Sequence, residues 1–145
     1  MQPTMRNWKR EVAVLYLDAN VFVFAAVNTE DLGDKARSII RRIQLGEETA
    51  VTSALTWDEV FWAVKKHNME LAFEVCEAMM NLPNLEIISA DKELALSALR
   101  LMRDCHLAPR DALHAATAIA CDVDFVVTSD EHFSRVKELK VKGLE

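Results

Sequence analysis

The chain has 145 residues, of which 51% are hydrophobic and only three each are Gly and Pro, and this composition indicates one compact domain with few long loops. Its net charge of −6 weighs against nonspecific binding to nucleic acid. No apolar run approaches the roughly 20 residues that cross a membrane, and residues 1–10 lack the apolar core of a secretory signal. We therefore expect a cytoplasmic protein with no membrane partner.

The three cysteines, Cys76, Cys105 and Cys121, lie far apart in the sequence. An odd number of cysteines without a CxxC spacing argues against a disulfide framework and against a zinc knuckle. We expect them to be small, buried free thiols in a reducing compartment.

The first half of the chain begins with a predicted buried strand over Val12–Leu17, an apolar run that ends at Asp18. Apolar residues at helical spacing follow, and Gly46 and Pro83 are expected to end two of the helices. The predicted elements are, in order, a helix over Val21–Val27, a helix carrying Ala36, Ile39, Ile40 and Ile43, a strand over Ala50–Thr52, a helix over Thr56–His67 and a helix over residues 68–81. The two consecutive helices mean that strands and helices do not alternate strictly.

The second half repeats this pattern of short apolar strands separated by helices. Its predicted elements are a strand over Leu85–Ile88, a helix carrying Leu94, Ala95, Ala98, Leu101 and Met102, a helix from Pro109 to about Cys121, a strand over Phe125–Val127, a helix over Glu131–Leu139 and a short edge strand from Val141. Such a succession predicts an α/β fold with a parallel sheet, and the continuously apolar strands indicate helices on both faces of the sheet.

Four carboxylates occupy related positions in this predicted fold. Asp18 directly follows the first strand, and Asp130 follows the strand Phe125–Val127 after two intervening residues. Asp111 and Glu59 lie in the first turns of helices that are expected to begin at the same edge. Because sites in such sheets form beyond the carboxyl ends of the strands, we expect the four acids to lie at one edge.

Each acid also has a simpler explanation, which the sequence leaves open. Thr56 and Glu59 fit a capping box, in which the Glu side chain reaches back to a backbone N–H. Asp111 could complement a helix dipole, and Asp18 and Asp130 could be N-caps. Capping alone, however, does not require all four acids to lie at one edge of the sheet.

Crowding of the acids would require neutralisation. Two like charges ~5 Å apart repel by about 3 kcal/mol at an effective dielectric constant near 20, so we expect raised pKa values or a bound cation. Ligands that offer only oxygen suit Mg²⁺ or Mn²⁺. His114 lies one turn after Asp111, and we expect it to be a hydrogen-bonded histidine rather than a direct metal ligand. A carboxylate site of this kind suits hydrolysis of a phosphodiester by an activated water.

The ordered motifs LYLDANVF, TSALTWDEVFW, PRDALHAATAIA and FVVTSDEHF resemble those of the PIN domain family, in particular the VapC-like toxin ribonucleases. The resemblance covers about residues 12–140. It implies a three-layer α/β/α fold with a central parallel sheet of four to five short strands, formed by residues 12–145 after an N-terminal extension of residues 1–11.

The resemblance also implies functional residues and partners. By it, Asp18, Glu59, Asp111 and Asp130 bind Mg²⁺ or Mn²⁺ and carry catalysis, while supporting hydrogen bonds come from Asn20, Thr128 and Ser129. It implies metal-dependent endonucleolytic cleavage of RNA, a homodimer, and inhibition by a small antitoxin protein. Trp57, Trp62 and Phe73 are expected to lie mostly in the core, and any part left exposed would suit self-association or an antitoxin helix.

Other functions remain as alternatives. A HAD-like phosphatase would need a second Asp two positions after Asp18, where this chain has Asn20, which cannot supply a proton. A response-regulator receiver would need an acidic pair and a lysine that we do not find. A catalytically weak or silent PIN-fold binding module in RNA processing would have the same sequence pattern.

Overall fold

The computed structural model of the chain describes residues 11–144. The expected N-terminal extension of residues 1–11 therefore lies, except for Glu11, outside the described residues. The strands are β1 (Val14–Leu17), β2 (Thr49–Ser53), β3 (Leu85–Ile88), β4 (Phe125–Val127) and β5 (Val141–Lys142). The helices are α1 (Ala19–Val27), α2 (Asp31–Gln44), α3 (Thr56–Lys65), α4 (Met69–Met80), α5 (Lys92–Cys105) and α6 (Pro109–Ala120), followed by a 3-10 helix (Glu131–Arg135).

The strands form one parallel sheet with the order β3-β2-β1-β4-β5. The chain moves outward from β1 through β2 to β3, and then crosses to the other side of β1 to form β4. The strand order thus reverses between β1 and β4, and in open α/β sheets this switch point is where a crevice forms beyond the carboxyl ends. Asp18 and the residues after Val127 lie at this point.

Alternation along β1 explains the three layers. Leu15 and Leu17 pack in one buried cluster with residues of α1 to α4, whereas Tyr16 packs in a second cluster with residues of α5 and α6. Connections between parallel strands are right-handed. The helices that connect the strands on one side of β1 therefore cover one face of the sheet. The helices that lead to the strands on the other side of β1 cover the opposite face. The predicted three-layer α/β/α fold with a parallel sheet is confirmed.

The predicted helix over Glu131–Leu139 is too long, because only Glu131–Arg135 is helical, as a 3-10 helix. The buried side chains of this segment are Phe133 and Val136, three residues apart. Two backbone turns span residues 133–139. The N–H of Val136 donates to the carbonyl of Phe133, and the N–H of Leu139 donates to the carbonyl of Val136. Phe133 lies within the 3-10 helix, whereas Val136 is its C-cap and has extended backbone dihedral angles, so the helix ends at Arg135 rather than at Leu139.

The expectation that Trp57, Trp62 and Phe73 lie mostly in the core is also wrong, since their exposed fractions are 43%, 56% and 50%. The core contacts of α3 and α4 come instead from smaller residues, among them Val60, Val64 and Ala72. The three cysteines form no disulfide within residues 11–144, as expected; Cys121 is buried, as expected, whereas Cys76 and Cys105 are only partly buried. Among the described residues, no helix has the length and apolar character needed to cross a membrane.

Candidate active site

Asp18 joins the end of β1 to the start of α1 and is almost completely buried, with 7% exposure. Its Oδ1 accepts a hydrogen bond of 2.8 Å from the N–H of Ala19, so Asp18 does cap α1, as the simpler explanation predicts. Its Oδ2 accepts a second bond of 2.7 Å from the hydroxyl of Thr128, in the loop after β4. The second contact ties the carboxylate to the neighbouring strand end, which a helix cap does not require.

The loop after β4 is organised by short hydrogen bonds among the supporting residues. The hydroxyl of Thr128 accepts from the N–H of Asp130 at 2.9 Å, and Asp130 Oδ1 accepts from the N–H of His132 at 2.9 Å. Nδ2 of Asn20 in α1 donates to Oγ of Ser129 at 2.8 Å. These contacts fasten the first turn of α1 to the β4 loop and hold Asp130 at the same edge as Asp18.

Glu59 does not form the capping box that the sequence allows. The N-cap of α3 is Leu55, without a side-chain bond, and the Thr56 hydroxyl instead lies 2.7 Å from that of Thr52. Thr52 donates in turn to the carbonyl of Leu17 at 2.7 Å, which fixes the start of α3 against the end of β1. Glu59, one turn later, is thereby directed toward α6.

His114 links Glu59 to the core of the sheet. Its Nε2 lies 2.5 Å from Glu59 Oε1 and its Nδ1 lies 2.5 Å from the hydroxyl of Tyr16, and the ring is 1% exposed. The ionised carboxylate of Glu59 can only accept hydrogen bonds, so Nε2 of His114 carries a proton and donates it. When the His114 ring is neutral, its Nδ1 carries no proton and accepts a hydrogen bond from the hydroxyl of Tyr16. Both ring nitrogens have hydrogen-bond partners within the protein, so His114 is a hydrogen-bonded histidine, as expected.

Asp111 lies in the first turn of α6, which begins at Pro109. Its Oδ2 is 3.6 Å from Nδ1 of His132, and the same nitrogen is 2.8 Å from Oδ1 of Asp130. His132 is half-exposed and bridges the two acids. The structure thus places the four acids as two pairs, one beside His114 and one beside His132.

Burial and mutual repulsion act on these acids. Burial raises the pKa of Asp18, and the charge of Glu59 adds a smaller increase, although the charge of His114 and the hydrogen bonds from Thr128 and Ala19 act in the opposite direction. Burial, then the charges of Asp130 and Asp18, raises the pKa of Asp111, so the two pairs are electrostatically coupled. Burial alone would lower the pKa of His114, but the hydrogen bond and charge of Glu59, with the charges of Asp18 and Asp111, outweigh it and raise that pKa.

The donor atoms at this edge fit a hard divalent cation. Ligand atoms of Asp18, Glu59 and His114 lie within 4.8 Å of one another, and so do those of Asp111, Asp130 and His132. Within residues 11–144, no Lys or Arg forms an ion pair with any of the four acids. Carboxylate oxygens suit Mg²⁺ or Mn²⁺, and a cation would offset the repulsion that raises the pKa values.

The site also contains Tyr16 and His132, which the sequence motifs did not indicate. Tyr16 is the only tyrosine in the chain and lies in an otherwise aliphatic strand, a signal that it needs a polar partner when buried. His132 lies two residues after Asp130, where a side chain can turn back toward the acid. Neither signal, by itself, separates a site residue from a structural one.

Comparison with known proteins agrees with this fold. Residues 15–139 match the PIN domain family. A crystal structure of VapBC2 from Rickettsia felis, bound to a DNA fragment from their promoter, is 20% identical, with a TM-score of 0.70 and coverage of 90% of this chain and 98% of that chain. A toxin-antitoxin complex from Klebsiella pneumoniae is also 20% identical, with a TM-score of 0.65 and coverage of 90% and 98%.

A third similar structure is the Mycobacterium tuberculosis toxin VapC20, described as cleaving the sarcin-ricin loop. It is 14% identical, with a TM-score of 0.68 and coverage of 83% of this chain and 92% of that chain. No curated protein matches the sequence. Because the family match spans most of the chain and the fold agrees with it, the protein belongs to the PIN domain family.

Proposed function

We propose that this protein is a metal-dependent endoribonuclease that hydrolyses phosphodiester bonds in RNA, and that it is the toxin of a toxin-antitoxin pair. PIN domains are a family of nucleases. The observation that supports the proposal is the pairing of Asp18 with Glu59 and of Asp111 with Asp130, together with the raised pKa of Asp111, to which the charge of Asp18 in the other pair contributes. A binding module without catalysis would have no use for this unbalanced charge.

The four carboxylates would hold Mg²⁺ or Mn²⁺, which lowers the pKa of a bound water and offsets charge on the phosphate. Hydrolysis would join the oxygen of a water to phosphorus and break the bond from phosphorus to the leaving ribose oxygen, which would take a proton from solvent. One of the four carboxylates, through an oxygen that does not contact the cation, would accept the proton of the water. Ser129 accepts from Asn20, so its own hydroxyl proton is available to donate to an oxygen of the substrate.

A cleavage assay on mixed RNA oligomers tests the proposal, with Mg²⁺, Mn²⁺ or EDTA present. We expect internal cuts that require metal, and a loss of at least about a hundredfold in rate in Asp18→Asn and in Asp111→Asn, because each removes a carboxylate that would hold the cation beside the reacting phosphate. Glu47→Gln is the matched control, since Glu47 is exposed in the turn that precedes β2, at the opposite edge. Undiminished cleavage in either Asp variant, or in EDTA, would contradict the mechanism.

The proposed partners are an antitoxin and a second copy of the chain. Two of the similar structures are toxin-antitoxin assemblies. A cavity of about 190 Å³ lined by apolar residues, among them Phe22, Ile40 and Met79, opens between α1, α2 and α4 and would accept an apolar antitoxin segment. The exposed Trp57 and Phe73 supply apolar surface for a homodimer.

We also propose that residues 1–11 form an extension to a single domain of residues 12–145. The family match begins at residue 15, and the first strand begins at Val14. The free thiols of the three cysteines support a location in the cytoplasm, where thiols stay reduced.

A further inference from the structure

A polar cleft opens beside the acids, between α1, α3 and the first turn of α6. It has a volume of about 470 Å³, and its walls include Asn20 from α1, Arg110 from α6, and Glu59, Trp62 and Lys66, which follow one another along α3 and its C-terminal end. The cleft is therefore continuous with the candidate active site. A ligand bound in the cleft would therefore lie next to the candidate active site.

The charge of this cleft differs from that of the chain as a whole. Lys66 and Arg110 are both exposed, although the net charge of the chain is −6. Lys66 forms no ion pair with any residue from 11 to 144. Arg110 lies 3.7 Å from Asp58 and remains 61% exposed, so this pair leaves most of the guanidinium accessible. Two cations thus stand beside a group of acids without neutralising them.

Trp62 gives the same cleft a flat aromatic wall. Its side chain is 56% exposed, so part of the indole is accessible to a ligand in the cleft. Nζ of Lys65 lies 4.5 Å from the centroid of the ring, which adds a third cation beside the indole. An indole surrounded by cations is the combination that binds a nucleobase together with its phosphates. A purely apolar protein partner would not need the cations.

We propose that Trp62, Lys66 and Arg110 form a nucleotide subsite, in which the indole stacks on one unpaired base and the two cations bind phosphates that flank it. The proposal rests on the proposed ribonuclease function and assigns one side of the substrate path to this cleft. The subsite lets a protein of net negative charge hold a polyanion next to its acids. Stacking on an indole requires a base outside a helix, so the subsite selects an unpaired nucleotide beside the cleaved bond.

The test is binding of a fluorescently labelled, single-stranded RNA oligomer, measured by anisotropy with Ca²⁺ in place of Mg²⁺, because Ca²⁺ also prefers oxygen ligands. Intact RNA is verified on a gel after each titration. We expect Trp62→Ala to weaken binding about tenfold, as for loss of one stacked base, and Trp62→Phe to weaken it about threefold or less, because an aromatic face remains. The side chains of Trp62, Lys66 and Arg110 are exposed, so substitutions at these positions are expected to leave the protein folded.

The salt dependence of binding tests the two cations. The Lys66→Gln/Arg110→Gln double variant is expected to lower the slope of log K against log salt by about 1.4, since each phosphate contact on a single strand contributes about 0.7. Arg41→Gln/Lys140→Gln makes the same charge change at exposed positions that precede β2 and β5, at the opposite edge, and is expected to leave the slope unchanged.

Two results would overturn the subsite. One is equal binding by Trp62→Ala and the wild type; the other is equal salt slopes in the two double variants. If Trp62→Ala instead changes the sedimentation of the chain and not its RNA affinity, Trp62 belongs to a protein interface and the proposal fails. Binding does not require cleavage, so the expected binding pattern without any cleavage in Mg²⁺ or Mn²⁺ would support the subsite and remove only the proposed nuclease activity.

Discussion

The carboxylate of Asp18 is both a helix cap and a member of a crowded acidic group, and its two oxygens divide these tasks. Oδ1 accepts from Ala19 in the cap, whereas Oδ2 accepts from Thr128 across the strand ends. The cap alone would favour the ionised form. Burial nevertheless raises the pKa of Asp18, so the electrostatic cost of the site outweighs the gain from the cap.

The raised pKa values predict how stability depends on pH when no metal is present. For Asp18 and Asp111, the folded pKa lies above the ordinary value of 3.8, and for His114 above 6.5. A group of this kind stabilises the fold below its unfolded pKa, and that stability is lost as the pH rises through the folded pKa. All three groups therefore make the metal-free protein less stable as the pH rises from about 4 to neutral and above.

Urea unfolding in EDTA at a series of pH values measures this effect. Asp18→Asn is expected to flatten the decline and to be as stable as the wild type, or more stable, at neutral pH, because the buried charge is gone. Glu47→Gln should follow the wild-type curve. A marked loss of stability in Asp18→Asn at neutral pH would show that the helix cap dominates instead.

At the scale of elements, the corner between α1 and α2 depends on Gly33. Oδ1 of Asn28 accepts from the N–H groups of Glu30 and Gly33 at 2.8 and 3.0 Å, which folds α2 closely against the end of α1. A Cβ built on Gly33 would lie 1.9 Å from the carbonyl oxygen of Asn28. The close approach of two backbones, and not a positive φ, therefore requires glycine here.

Gly33→Ala is expected to destabilise the protein by about 1–3 kcal/mol, the usual cost of forcing extra atoms into a packed region. Ordinarily the same change inside a helix stabilises by up to about 1 kcal/mol, so the predicted sign is opposite to that of helix propensity. Ser38→Ala, at an exposed position of the same helix, serves as a control with little expected effect. Chemical unfolding of both variants measures the difference, and a Gly33→Ala protein at least as stable as the wild type would disprove the close contact.

Elements with a strong apolar pattern could be predicted from the sequence. The bounds of β3 and β4 agree with the prediction, and the other strands agree to within two residues. The extent of the helix after Asp130 was mispredicted, because the backbone becomes extended at Val136 and no Gly or Pro in residues 131–139 marks that end in the sequence. The exposure of Trp57 and Trp62 could not be read from the sequence, since an aromatic residue on an amphipathic helix is equally consistent with core and surface.

At the scale of the whole molecule, the order of the strands assembles the site. Strand β1 pairs with β4, and this pairing brings Asp18 within hydrogen-bonding distance of Thr128, 110 positions away in sequence. The sequence could predict that the acids share one edge, because strands in a parallel sheet end together. It could not predict that β1 and β4 are neighbours, nor that His114 and His132 each contact an acid, because both depend on tertiary packing.

The proposed function requires the two pairs of acids to hold a hard divalent cation together. Isothermal titration calorimetry with Mn²⁺, on the wild type, Asp18→Asn, Asp111→Asn and Glu47→Gln, tests it most directly. We expect saturable binding to the wild type, unchanged in Glu47→Gln and weakened at least about tenfold in each Asp variant, because each removes one carboxylate from an oxygen-only ligand set. Absence of Mn²⁺ binding, or equal affinity in all four proteins, would contradict this requirement.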